Sequence, residues 1–336
     1  MSAAPVTGER PGVLLGPVST WFPDRVAEVG RLPELAGLPA LRRDHALALG
    51  IDQVREAPGM SEVDLAERAA HEVLRRSGLA ARDLDGLILV QGRAPQYLMA
   101  SEATRLQERL HADRAFTLGV GELGCVSVSA ALTVGSSLLR GHPGWRHVLV
   151  AMGVKAATRA RYRAPMTVLG DGGGAVLLST SGAGGFELVD HGLRTDGKYA
   201  DLFRIDYRDT PQRQWAEECS DEPTYSFRLA VESRNRFLEL NREVLARNDL
   251  RPGEQAAVLM QNLAAGAFAF WEDALDLSIH DACRRNLARY GHVGPVDVLA
   301  NLAEAAPEVP AGGVVLVMNS SPVAAWSTTL LRKTSH

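Results

Sequence analysis

The sequence is poor in cysteine, in lysine and in long apolar runs, and each shortage excludes something. Cys125, Cys219 and Cys283 are the only cysteines in 336 residues. Their number is odd, and no Cys-x-x-Cys or Cys/His ligand spacing is present. A disulfide framework and a structural zinc are therefore not expected, and no metal site is assigned. No apolar stretch reaches the roughly 18 residues that span a bilayer, so no membrane partner is expected. The first residues, MSAAPVTGERPG, lack a basic segment followed by an apolar one. They read as a short loose tail on a cytoplasmic protein. Positive charge is not in excess either: 36 basic against 40 acidic residues leaves a net charge of −4. A nucleic-acid partner is not expected from that balance. Lysine is confined to Lys155, Lys198 and Lys333, the other basic residues being arginine. This bias suits a GC-rich genome and carries no mechanism.

What is present is an ordinary globular mixture, 46% hydrophobic and 23% charged, which excludes disorder. Helix and strand patterns alternate along it. Ser61 and Asp64 form a capping-box signature ahead of a helical face made by Leu65, Ala66, Ala69, Ala70, Val73 and Leu74, with Gly78 as the stop. Residues 84–90, 116–120, 147–152 and 174–178 read as buried strands, and 101–110 and 126–139 as helices. Past a glycine-rich joint near residue 182 the grammar repeats. Helices are predicted at 227–246, 264–275 and 296–305, and strands at 256–260, 314–318 and 325–331. The pattern predicts an α/β fold of two halves, 1–182 and 183–336, with parallel or mixed sheets covered by helices. Residues 195–224 form a long, charged and aromatic loop of the kind that is usually functional or mobile.

Two segments stand out chemically. Cys125 sits in Gly121-Glu122-Leu123-Gly124-Cys125-Val126-Ser127, where a strand gives way to a helix of small residues. A thiol at a helix N-terminus meets unpaired N–H groups and the positive dipole end, which favour the nucleophilic thiolate. A buried structural cysteine is the bland alternative. The second segment is Gly170-Asp171-Gly172-Gly173-Gly174, leading into an apolar strand. No helix follows it and no nucleotide-loop spacing is present, so a tight structural turn is expected rather than a phosphate cradle.

Together these segments resemble the ketoacyl synthase III branch of the thiolase superfamily. Ala48-Leu49-Gly50-Ile51 with Arg55, Thr195-Asp196-Gly197, Gly291-His292-Val293-Gly294 and Trp326 resemble further family segments in the expected order. The resemblance implies a thiolase fold, with two pseudo-repeated halves in a five-layer αβαβα core, and a homodimer. It implies an acyl group taken from acyl-CoA or an acyl carrier protein onto Cys125. No cofactor is implied beyond the CoA or phosphopantetheine arm of the substrate.

The chain departs from the family where the family has its His and Asn. The His-Gln-Ala-Asn stretch reads Met260-Gln261-Asn262-Leu263, so Asn262, or its neighbour Gln261, takes the His position. His292 takes the Asn position, with Asp297 five residues on, as in acyltransferase relatives. The family's last Gly-Gly turn reads Asn319-Ser320-Ser321-Pro322-Val323, and proline has no N–H to give an oxyanion. The resemblance thus points to Cys125 as nucleophile, His292 as general base, Asp297 as its orienting carboxylate and Asn262 as an oxyanion donor. Arg55, Lys155 and Arg159, with Arg42, Arg43 and Arg161 behind them, are candidates for CoA phosphates. Leu98, Met99 and Phe203 are candidates for a tunnel lining, and His191 is a second imidazole for the thiol. The expected activity is acyl transfer to an oxygen or nitrogen of a small-molecule acceptor in specialised, natural-product biosynthesis. The alternatives are a decarboxylative synthase or thioester hydrolase of the same fold, or a decayed partner subunit.

Overall fold

The structure, a computed structural model, describes residues 12–91, 94–182, 185–323 and 325–335. Its centre is a mixed sheet of nine strands: β1 (Val13–Trp21), β2 (Gly86–Val90), β3 (Phe116–Val120), β4 (His147–Val154), β5 (Gly172–Ser179), β6 (Phe186–Thr195), β7 (Ala257–Met260), β8 (Val314–Ser321) and β9 (Ala325–Lys333). Their order is β7-β8-β9-β6-β1-β5-β4-β2-β3. The β1–β6 pairing is antiparallel and lies between two stretches of matching order. On one side β1 is followed by β5, β4 and β2; on the other β6 is followed by β9, β8 and β7. Each first strand thus lies beside the last of its stretch, then the last but one, then the second. The pairs β2–β3, β2–β4 and β7–β8 are parallel. The central residues of β2, β4, β7 and β8 are apolar and buried, as strands covered on both faces must be.

Seven helices brace the sheet and carry the site: α1 (Glu62–Ser77), α2 (Glu102–Leu110), α3 (Ser127–Gly141), α4 (Ala230–Arg247), α5 (Ala265–Leu275), α6 (Asp281–Tyr290) and α7 (Val296–Ala305). The start of α1 obeys its sequence signal. The Ser61 hydroxyl accepts from the Asp64 N–H at 3.2 Å, and the Asp64 carboxylate accepts from the Ser61 N–H at 2.6 Å. Gly78, at φ 66°, ends the helix in the left-handed conformation. The six predicted core residues of this helix are all buried, and Val63 joins them. Fully burying one such Leu or Val contributes about 1.5–3 kcal/mol.

Three sequence expectations are corrected. Gly172, Gly173 and Gly174 lie within β5 rather than in a turn. A Cβ on Gly173 would stand 2.1 Å from the Leu65 carbonyl oxygen, and one on Gly153 of β4 1.8 Å from that of Glu62. The glycines let α1 lie directly on the sheet backbone. Strand β3 is not buried: it is the last strand of the sheet, and Phe116 is 57% exposed. The helix predicted from residue 227 begins as a wide turn over Thr224–Leu229 and becomes α-helical at Ala230.

Strands β1 and β6 and helix α6 have no counterpart among the predicted elements. In β6 the charges obscured the strand, because they are paired across to α4: Arg194 with Glu243 at 2.8 Å and Asp190 with Arg247 at 2.9 Å. The loop 195–224 contains short turns and a two-residue ladder, Phe203–Arg204 against Glu218–Cys219. Among the described residues no helix is long and apolar enough to cross a membrane.

Candidate active site

The chain leaves β3 through a sharp corner. Glu122 at φ 71° and Gly124 at φ 56° both take the left-handed conformation. A single turn, Gly124–Val126, then runs into α3 and carries Cys125 at its centre, 2% exposed. The helix behind it lies close to the sheet: a Cβ on Gly135 would come within 2.7 Å of the Leu178 side chain. The thiol is thereby held at a buried helix start.

His292 arrives from the other end of the chain. It lies in the loop between α6 and α7, bounded by Gly291 and Gly294 at φ 64° and 55°. Its backbone is pinned to the segment before Gly170: the His292 N–H donates to the Val168 carbonyl at 2.9 Å, and the Gly170 N–H donates to the His292 carbonyl at 3.0 Å. The glycine-rich segment and the histidine loop therefore position one another. His292 Nε2 stands 3.2 Å from Cys125 Sγ, and Nδ1 stands 2.6 Å from Asp297 Oδ2. Asp297, in the first turn of α7, also accepts from the Val293 N–H at 2.7 Å and the Asn262 N–H at 3.0 Å. The five-residue spacing works because His292 precedes the helix and the loop folds back over its first turn.

Asp297 fixes the tautomer: Nδ1–H donates to the carboxylate, so Nε2 faces the thiol as a proton acceptor. Burial alone would disfavour the imidazolium. The charges on Cys125 and Asp297, and their hydrogen bonds, outweigh it and raise the imidazole to about 10. The arrangement favours the imidazolium once Nε2 has taken a proton.

A cavity of about 400 Å³ opens onto Cys125 and His292. Its charged lining is mixed: Glu102, Glu122 and Glu217 with Lys155 and Arg163. Arg163 and Glu217 pair at 2.8 Å. Among the described residues no group of three or more His, Cys, Asp or Glu side chains is arranged to hold a metal ion.

Comparisons with known proteins agree with this geometry. A sequence profile of 3-oxoacyl-[acyl-carrier-protein (ACP)] synthase III matches residues 122–197, the stretch that holds Cys125 and the Gly-Asp-Gly segment. The beta-ketoacyl-[acyl-carrier-protein] synthase III of Clostridium tetani is 28% identical over 158 residues, covering 46% of this chain and 46% of that protein. The enzyme of the same name from Cereibacter sphaeroides is 32% identical over 158 residues, covering 45% and 47%. The chain thus matches about half the length of these relatives. Among solved structures, the 3-oxoacyl-[acyl-carrier-protein] synthase III of Aquifex aeolicus superposes with a TM-score of 0.79 at 20% identity, covering 96% of this chain and 100% of that one. The acyltransferase ChlB3 gives 0.80 at 19%, covering 96% and 98%. The tetronic acid condensing enzyme AbyA1 gives 0.79 at 21%, covering 95% and 99%. At such identities the superpositions establish the thiolase fold. The chain is ketoacyl synthase III-like.

In this ketoacyl synthase III-like chain the other predicted residues are placed unevenly. Asn262 is buried at the end of β7, and its bonds run to Asp297 and Asn301. Its side-chain oxygen accepts from Asn301 Nδ2 at 2.8 Å, and Asn301 in turn accepts from Asn286 at 3.0 Å. Neighbouring Gln261 turns instead to Ser320, donating to its hydroxyl at 2.6 Å. Pro322 and Val323 form the hairpin tip between β8 and β9. Val323 lines the cavity, but its N–H donates to the Ser321 hydroxyl at 3.3 Å.

Of the three CoA-phosphate candidates only Lys155 lines the cavity. Arg55 is drawn away by the Pro23 and Asp24 carbonyls, each at 3.3 Å, and lies over the Tyr290 ring. Arg159 lies in an exposed stretch outside the lining. Arg161 is committed to Asp171 at 3.0 Å. Leu98 and Met99 are exposed and outside the cavity, while Phe203 lines a neighbouring one of about 290 Å³. His191 lies in β6, also outside the lining.

Sequence reasoning missed Asn319, which is fully buried and donates to the Cys125 carbonyl at 2.7 Å. It also missed Glu102, whose position at a predicted helix start hid its place in the cavity lining.

Proposed function

We propose that the chain is an acyltransferase that loads an acyl group from acyl-CoA or an acyl carrier protein onto Cys125. It then passes the group to an oxygen or nitrogen of a small acceptor, in natural-product biosynthesis. The Cys125–His292–Asp297 array is the observation that carries this reading. His292 Nε2 takes the thiol proton, the thiolate attacks the thioester carbonyl, and the departing CoA or carrier thiolate leaves with the proton from the imidazolium. The acceptor hydroxyl or amine then gives its proton to Nε2 and attacks the acyl-Cys. Collapse of that intermediate releases the ester or amide and the Cys125 thiolate, which the imidazolium reprotonates.

Asp297 holds the imidazole in the required tautomer throughout. The Cys125 N–H and the Asn262 amide are the candidate oxyanion donors. With the Asn262 oxygen held by Asn301, the NH₂ is the end that Asn262 has to offer. Decarboxylative condensation asks for two side-chain donors on a thioester enolate, and one imidazole with a displaced Asn262 and a proline in the last turn suits that step poorly. An assembled buried array also speaks for a working site over a decayed copy.

The same reading includes a homodimer in the cytoplasm, with no cofactor beyond the substrate's own CoA or phosphopantetheine arm. It also places the boundary of the two halves at 182/183; the matching strand order on either side of β1–β6 supports that division.

The test is intact-mass detection of an acyl adduct on Cys125 after incubation with acyl-CoA thioesters, together with carbon dioxide release from malonyl-CoA. An adduct with little or no decarboxylation is expected. His292→Ala should slow transfer on the order of 10²- to 10⁴-fold. Decarboxylation at the rate of product formation would overturn the reading in favour of condensation.

A further inference from the structure

The reaction cavity has a carboxylate that the mechanism does not use. Glu102 is 4% exposed and lines the same cavity as Cys125 and His292. It is the first residue of α2. Its carboxylate accepts a hydrogen bond from the Gln96 N–H at 3.1 Å. Among the described residues no cation lies within ion-pair reach of it.

The other charges around it do not cancel it. Arg163 is matched by Glu217 at 2.8 Å, and Lys155, whose ammonium keeps its charge while donating to the Met60 carbonyl, makes no ion pair with Glu102. Glu122 adds a second carboxylate at the exposed rim. Glu62, behind the wall, is held above the usual carboxylate range by burial first, Lys155 acting against this and the charges of Glu102 and Asp171 adding to it. Among the described residues three carboxylates, Glu102, Glu122 and Glu217, thus share the cavity lining with the cations Lys155 and Arg163, and the buried Glu102 has no counter-ion within ion-pair distance. A buried carboxylate is costly unless a cation or hydrogen-bond donor meets it.

We propose that Glu102 selects the acceptor by binding an ammonium group that the acceptor carries in addition to its nucleophilic hydroxyl or amine. The acceptor class is then small amino alcohols and diamines. The inference rests on the acyltransferase reading for its reaction, and on the cavity charge alone for its selectivity. The ammonium group stays protonated as a spectator, while the second group gives its proton to His292 and attacks the acyl-Cys.

Two measurements test it. In the first, Cys125 of the full chain reacts with a cationic trimethylammonium-ethyl methanethiosulfonate or its anionic sulfonatoethyl counterpart. The thiolate displaces methanesulfinate and forms a mixed disulfide, read at Cys125 by peptide mass. Relative to a free small thiol, the cationic reagent should be favoured about tenfold, the scale of one uncompensated charge near the thiol. Glu102→Gln, which keeps an acceptor oxygen for Gln96, should remove most of that preference. Glu102→Asp should keep it, and Glu122→Gln should reduce it less.

In the second, acylated protein is offered an amino alcohol or the diol of the same length. The amino alcohol should be consumed faster, and Glu102→Gln should erase the difference. A reagent preference equal to that of the free thiol, or one unchanged in Glu102→Gln, overturns the inference. Absence of any acyl adduct on Cys125 would instead sink the acyltransferase reading. The reagent ratio would still decide whether Glu102 sets the charge preference of the cavity.

Discussion

Asp297 and Asp171 are built alike and do different work. Each is 1% exposed and each accepts from two backbone N–H groups of distant segments. Asp297 takes those of Val293 and Asn262, and Asp171 takes those of Ala57 and Ala156. The difference is the side chain that completes each. Asp171 meets Arg161 through two parallel bonds of 3.0 Å, and a guanidinium neither gains nor loses a proton in use. Asp297 meets His292, whose imidazole can do both. The same carboxylate cradle is a fastener with arginine and part of a proton-transfer device with histidine. Only the second has a thiol on the far side of its partner.

The largest effect should come at that thiol. Cys125→Ala should abolish the acyl adduct seen by intact mass while leaving the urea unfolding midpoint nearly unchanged, because little volume is lost. Turnover that persists in this variant would move the chemistry to a non-covalent route and dissolve the contrast between the two aspartates.

Asp297→Asn comes next, with a fall in transfer on the order of 10²- to 10⁴-fold, since the imidazole loses both its tautomer and its charge support. The pH dependence has a definite sign. His292 is raised to about 10 in the fold from an ordinary 6.5, so its protonation stabilises the folded state fully below pH 6.5. That contribution is lost as the pH rises through about 10. The stability gap between the native protein and Asp297→Asn should therefore narrow between those limits in thermal melts. A gap that widened would contradict the assignment.

Asp171→Asn should do the opposite kind of damage. Breaking a buried ion pair typically costs about 3–5 kcal/mol. Denaturant melts should show that loss, while the pH profile of Cys125 acylation in the surviving folded protein keeps its shape. A shifted profile would mean that Asp171 also reaches the thiol.

The smallest effect is expected at Gly173→Ala. The new Cβ meets the Leu65 carbonyl, so α1 must lift from β5, at about 1–3 kcal/mol by the usual cost of overpacking. A neutral result in the same melts would show that the helix moves more freely than its packing implies.

The elements that were legible in the sequence are those whose signal is local. The Ser61–Asp64 box and Gly78 bracket α1 because capping involves residues three or four apart. The corner at Cys125 was legible for the same reason: small residues after a strand leave few other conformations. Strand β6 was not legible, since the partners of Asp190 and Arg194 lie about fifty residues away on α4. The three glycines of β5 were misread as a turn because a close helix approach and a sharp bend demand the same residue.

The sequence by itself determined the alternation of elements, the cysteine at a helix start, and the presence of a histidine with an aspartate five residues on. Only the tertiary structure decided that Nδ1 and Nε2 of that histidine face Asp297 and Cys125, 167 positions separating the thiol from the imidazole. It also decided that Arg55 and Arg159 stay outside the cavity while Glu102 lines it. The reason is physical: helix caps and turns are set by neighbours along the chain, whereas the partner of a buried charge is set by which distant backbone segments the sheet brings together.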